Sequence, residues 1–135
     1  MSDLAPTSDL APRFDYAIGQ RATLERTFAA GEVADFAALV GGNLDGADYV
    51  PSGLVGGLFS TLLGTTLPGR GTNWMKQTLR FRSRARVGER LTASVEIVRL
   101  RPDKRLVNLR VACVNDAGAV ICDGESLVLA LEMAE

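Results

Sequence analysis

The segment SGLVGGLFSTLLGTTLPG (52–69) holds no charged residue and constrains this chain more than any other stretch. Leu54, Val55, Leu58, Phe59, Leu62 and Leu63 recur at helical spacing and cover more than half of a helix's circumference. Most of the other positions are glycine, serine and threonine. Such a helix is expected to be buried on nearly every side, so the rest of the fold must wrap it. Ser52 is the expected N-cap, and Pro68-Gly69 ends the segment. Gly56 and Gly57 each cost about 1 kcal/mol relative to alanine inside a helix. Close approach of a neighbouring backbone or of a ligand would offset that penalty.

The material for wrapping lies mostly downstream. NWMKQTLRFRSRARVG (73–88) alternates, with Met75, Leu79, Phe81, Ala85 and Val87 on one face. Lys76, Thr78, Arg80, Arg82, Arg84 and Arg86 fall on the other. RLTASVEIVRLRP (90–102) sets Leu91, Ala93, Val95 and Ile97 opposite Thr92, Ser94 and Glu96. A PDK turn (102–104) leads into RLVNLRVACV (105–114), where Val107, Leu109, Val111 and Cys113 share a face. NDAG (115–118) reads as a hairpin turn, and AVICDGESLVLALE (119–132) as the last strand, with Gly124 marking a bulge or bend.

Upstream, RATLERTF (21–28) is compatible with a strand, and EVADFAALV (32–40) carries Val33, Phe36, Ala37 and Val40 at helical spacing. Glu32 and Asp35 suit its first turn and Gly41 its C-terminal cap. The expectation is an α+β protein in which about five antiparallel strands curl around one long buried helix, the hot-dog fold. Open sheet edges and the apolar helix favour a homodimer. Residues 1–13, with "DLAP" twice, are expected to be a flexible N-terminal arm, and 14–135 a single domain.

Composition narrows the chemistry. The formal net charge of −1 gives no general attraction to nucleic acid or an anionic membrane. No apolar run reaches the roughly 18 residues of a membrane span, and no secretion signal is recognisable at the start, so the cytoplasm is the expected location. Cys113 and Cys122 flank the NDAG turn and are expected to be reduced core residues; metal-ligand spacing is absent. The chain contains no histidine. General acid–base work must therefore fall to Asp, Glu, Tyr, Lys, Cys or water, and no Ser-His or Cys-His nucleophile exists.

LPGRGTNWMKQTLRFRSRARVGERL (67–91) and the segment through GAVICDGESLVL (118–129) resemble the C-terminal half of the MaoC-like hot-dog family, especially the (R)-specific enoyl-CoA hydratases. Leu67-Pro68-Gly69, Gly71, Gln77, Leu79, Phe81, Val87-Gly88, Gly118 and Gly124 fall in register with that family's LPGxGxxxxxQxLxFxxPVxxGDxL and xGxxVxxGxAxV. FDYAIGQRATLERTFAAGEVADFAALVGG (14–42) resembles its N-terminal part. The resemblance implies acyl thioesters of coenzyme A or acyl carrier protein as ligands, with coenzyme A present only as part of the substrate and no separate cofactor. It also implies a backbone amide at the start of the long helix that stabilises a thioester enolate.

The same resemblance puts Gly42 where the family keeps its catalytic Asp, gives the catalytic His no counterpart, and shortens the segment before the helix. Aligning PSGLVGGLFS on the family's helix start puts Ser52 in place of a second His and retains Gly53. Gly53 is thus the candidate oxyanion amide, or a glycine needed only for close packing. Asp45 and Asp48 are candidate replacement bases, or turn and cap residues. Asn43 is a candidate for orienting water or substrate, and Tyr49 for closing over the acyl group. Gln77 is polar on an apolar strand face, and either pins a neighbouring strand or lines the pocket. The arginines at 80, 82, 84 and 86 form a solvated face, or Arg82 and Arg84 hold the phosphates of coenzyme A. The functional expectation is acyl-thioester binding of the hydratase/dehydratase type with impaired or non-standard turnover. A hot-dog thioesterase and a non-catalytic acyl-CoA-binding or assembly subunit are the alternatives.

Overall fold

In a computed structural model that describes residues 14–42 and 48–130, the central helix forms where its spacing places it, as α2 (Ser52–Thr65). Val55, Leu58, Phe59, Leu62 and Leu63 are its buried side chains. At roughly 1.5–3 kcal/mol each, they give the helix a strong drive to be covered by the sheet. Five strands do the wrapping: β1 (Arg21–Thr27), β2 (Thr72–Phe81), β3 (Arg90–Arg101), β4 (Leu106–Asn115) and β5 (Val120–Ala130). They form one antiparallel sheet in the order β1-β3-β4-β5-β2. The alternating residues Leu91, Ala93, Val95, Ile97, Val107, Leu109, Val111 and Cys113 are all fully buried on the inner face.

Three expectations about α2 and its surroundings are corrected. The N-cap is Pro51, whose extended backbone leaves its carbonyl free to accept from the Leu54 amide at 3.0 Å; Ser52 is the first helical residue. The helix is not buried on nearly every side, because the sheet covers one flank while Gly53, Gly57, Ser60, Thr61 and Gly64 face outward. Those glycines do not admit a close backbone neighbour: a Cβ at Gly57 would meet nothing within 4 Å. The alternation read across 73–88 also does not describe one strand. β2 stops at Phe81, since the Arg82 and Ser83 amides both turn to the Ile121 carbonyl, at 2.8 and 3.3 Å.

Gly124 causes no register shift; the irregularities lie at Trp74/Lys76, Ile97/Arg99 and Cys113/Val114. Gly124 is instead a position where β2 leaves no room for a side chain on β5. A Cβ there would coincide with the Thr78 carbonyl oxygen and lie 3.0 Å from the Leu79 Cα. The turn between β4 and β5 is held by Asn115, whose side-chain oxygen accepts from the Ala117 and Ala119 amides at 3.1 and 2.8 Å.

The shorter helix α1 (Ala30–Val40) starts without a side-chain cap at Ala29, but the Glu32 carboxylate accepts from the Ala29 amide at 2.9 Å and pairs with Arg26. The amide bond first, and the Arg26 charge with it, hold that carboxyl below its usual range. The helix ends in a left-handed glycine cap. The Gly41 amide donates to the Ala38 carbonyl and the Gly42 amide to the Ala37 carbonyl at 2.7 Å. Among the described residues a Cβ at Gly42 would touch only that Ala37 oxygen, at 3.8 Å.

Candidate functional site

The chain just before α2 is tied to the chain just after β2. The Val50 amide donates to the Ala85 carbonyl at 2.7 Å, the Val87 amide to the Asp48 carbonyl at 2.9 Å, and Tyr49 faces Arg86 in an antiparallel bridge. This junction encloses a cavity of about 400 Å³, within the range of small-molecule sites. Its inner wall is apolar, made by Val50, Val55, Phe81, Ala85 and Ile121. Asp48, Tyr49, Ser52, Ser83 and Arg84 supply the polar part of the lining. Ser83 is already committed, because its hydroxyl donates to the Val120 carbonyl at 2.7 Å.

At the cavity's edge, the Pro51 carbonyl takes the Leu54 and Val55 amides, at 3.0 and 3.4 Å. The amides of Ser52 and Gly53, as first-turn donors, have no acceptor inside the helix. The helix end therefore presents partial positive charge beside the Ser52 hydroxyl. Gly53 itself does not line the cavity. A Cβ there would come within 2.8 Å of the Phe36 ring, so the absent side chain is what lets α1 dock on the start of α2.

Tyr49 sits under two cations. The Arg84 guanidinium lies 4.2 Å from its ring centroid and that of Arg86 5.4 Å, contacts worth roughly 0.5–1 kcal/mol each at exposed sites. Of the two arginines expected to bind phosphate, Arg84 reaches the cavity. Arg82 does not; its Nε donates to Asp123 at 3.0 Å. Gln77 also lies away from the cavity wall. It accepts from the hydroxyl of fully buried Ser126 and donates to the Glu125 carbonyl at 3.4 Å, so it locks β2 to β5. Asn43 and Asp45 lie outside the described residues.

Cys113 and Cys122 face each other across β4 and β5, both buried and both free thiols. Burial pushes them up to about 11 and about 12, so neither is a nucleophile near neutral pH. Groups able to move a proton at the cavity are thus Asp48, Tyr49 and Ser52, with Arg84 as the electrostatic element. Sequence reasoning did not single out Phe36, Ser83 or Ile121. Phe36 read as one more apolar helix position, and nothing local marks Ile121 as a cavity wall rather than core. Among the described residues no group of three acidic or cysteine side chains is placed to hold a metal ion, and no helix is long and apolar enough to cross a membrane.

Comparison with known proteins places this architecture. No family model matches the chain. The (R)-specific enoyl-CoA hydratase of Aeromonas caviae is 38% identical over 124 residues, covering 82% of this chain and 92% of that protein. The solved structure of the A. caviae (R)-hydratase involved in PHA biosynthesis matches with a TM-score of 0.79 at 35% identity, over 84% of this chain and 96% of that one. The R-hydratase of Pseudomonas aeruginosa, in unliganded form, matches with a TM-score of 0.81 at 28% identity, over 88% and 84%. With that identity over nearly the whole of a relative, and the same wrapped helix, the chain belongs to the MaoC-like hot-dog family of the (R)-specific enoyl-CoA hydratases.

Proposed function

We propose that this protein binds acyl thioesters of coenzyme A or acyl carrier protein, and that its hydratase-type turnover is impaired or runs on a non-standard base. The observation that carries the reading is the largely apolar cavity of about 400 Å³ beside the first turn of α2, where the Ser52 and Gly53 amides have no acceptor among the described residues. An acyl group fills the cavity, and the thioester oxygen lies at the helix start. There the Ser52 amide stabilises enolate charge as it develops, and the Gly53 amide, one residue further in, adds to the positive end of the helix.

In this reading Asp48 is the base. It takes a proton from water as the oxygen adds to the β-carbon of the enoyl thioester, and returns that proton to the α-carbon of the enolate, which regenerates the carboxylate. With no histidine in the chain, a single rim carboxylate replaces the family's pair. Loss of one acid–base partner lowers the rate by roughly 10²–10⁴. Tyr49 and Ser52 border the acyl group; Asn43, a candidate for orienting water or substrate, and Asp45, the other candidate base, lie outside the described residues. The half-exposed Trp74 (41%), Met75 (58%) and Phe81 (44%) along edge strand β2 support pairing with a second copy, a homodimer.

The test is hydration of crotonyl-CoA by the purified protein, alongside calorimetric binding. The expected result is binding with kcat well below the order of 10 s⁻¹ of an efficient enzyme, and loss of the residual rate in Asp48→Asn. Efficient turnover, or activity untouched by that substitution, refutes the mechanism. Release of free thiol from acyl-CoA would replace it with a thioesterase. Binding with neither activity would leave a non-catalytic acyl-thioester-binding subunit. Absence of binding would overturn the reading as a whole.

A further inference from the structure

The arginine at the cavity has a chemistry that simple acyl groups do not use. Between the strand phenylalanine and the following glycine, the family pattern carries Pro-Val where this chain has Arg84-Ala85. Continuing the register of the Tyr49–Arg86 bridge sets Arg84 across from Pro51, next to the start of α2. The Arg84 guanidinium lies over the Tyr49 ring at 4.2 Å, and among the described residues no hydrogen bond or ion pair occupies its N–H groups, which can take a planar anion.

Three other arginines pair with carboxylates, Arg21 with Glu96 at 3.6 Å, Arg26 with Glu32 and Arg82 with Asp123 at 3.0 Å, and none of the three lines the cavity. Among the described residues no carboxylate pairs with Arg84 in this way, although Asp48 shares its cavity. A cation in the wall of a cavity whose other members are mostly apolar selects for a ligand with one matching negative group.

The coenzyme's phosphates are poorly placed to be that group. Between thioester and phosphate, a phosphopantetheine arm spans roughly four residue-lengths of chain, about 14 Å when extended. Arg84 lines the same cavity as Ser52, and the bridge register sets it across from Pro51, beside the helix start where the thioester is placed. The anion must therefore lie within a few bonds of the thioester, on the acyl group.

Resting on the acyl-thioester reading above, we infer that Arg84 makes this site selective for short acyl groups that carry a carboxylate of their own. The ligand class is dicarboxylic acyl thioesters. Succinyl-CoA and butyryl-CoA have the same number of acyl carbons and differ by that one carboxylate. Titrated calorimetrically into the full chain, succinyl-CoA is expected to bind about tenfold more tightly. In Arg84→Gln the ratio of the two affinities falls to within about twofold, and Arg84→Lys keeps part of the preference. The same ratios are expected with the N-acetylcysteamine thioesters, which lack phosphate.

Equal affinity in the parent protein overturns the inference while leaving acyl-thioester binding intact. An Arg84→Gln variant that weakens both ligands by one factor also overturns it, and assigns the arginine to the coenzyme. Binding of neither ligand defeats the acyl-thioester reading, and this inference with it.

Discussion

Replacing Gly124 by alanine tests a contact between β2 and β5 that has no room for a side chain. Gly124 lies opposite Leu79 within a ladder of nine residue pairs joining β2 to β5. An added Cβ would coincide with the Thr78 carbonyl oxygen and stand 2.8 Å from the carbonyl carbon. Restoring even tight contact at about 3.4 Å means moving one strand backbone away from the other in the interior of the ladder. Overpacking of this sort costs about 1–3 kcal/mol. Two flanking ladder hydrogen bonds weakened at about 1 kcal/mol each bring the total to about 3–5 kcal/mol. With an unfolding entropy of about 2.1 cal/mol/K per residue, that lowers Tm by about 10 °C or more. Thermal and urea unfolding followed by far-UV circular dichroism would measure it. Gly57→Ala is the control: it sits within α2 with nothing within 4 Å of the new Cβ, so it is expected to raise stability by up to about 1 kcal/mol. A Gly124→Ala protein that unfolds within about 1 kcal/mol of the parent would refute the strand approach described here.

Other expectations follow from the helix ends and the thiols. Ala29→Ser should complete the half-formed cap of α1 and raise stability by about 0.5–1 kcal/mol in urea unfolding. The Glu32 carboxyl is depressed in the folded state below its ordinary value of 4.5. Its contribution is therefore present above that value and lost as pH falls through the folded one. The Tm gap between parent and Glu32→Gln should be widest near neutrality and close on acidification; a constant gap would dismiss the linkage. Because burial raises Cys113 and Cys122 to about 11 and about 12, an aromatic disulfide reagent at pH 8 should leave the folded protein unlabelled and react with two thiols in urea. Leu63→Ala, at a fully buried α2 position, should cost about 2–5 kcal/mol by the same unfolding assay.

Much of the fold was legible because its signals are local and repeated. Leu91 to Ile97 and Val107 to Cys113 alternate without interruption, and both runs are buried as one face. NDAG (115–118) specified its hairpin through Asn115 and a glycine at positive φ. The alternation misled at Arg82–Val87, where extended backbone pairs with residues 48–50 instead of continuing β2. Period two reports extended backbone and not the identity of its partner. The candidate site was legible as an address only. Ser52, Asp48 and Tyr49 do meet at one cavity. Which arginine turned toward it depended on Asp123 capturing Arg82 across the sheet, a pairing of residues 41 positions apart that no local pattern encodes.

The glycine cap of α1 carries a last consequence. If packing had enforced Gly42, any side chain there would strike a wall; instead its Cβ direction meets one carbonyl oxygen at 3.8 Å. The position can take a carboxylate without rebuilding the helix end. On the alignment implied by the family resemblance, an aspartate would return at this position by a single substitution, into space left open by the described residues. Gly42→Asp is then a background on which the contribution of one carboxylate can be weighed by itself.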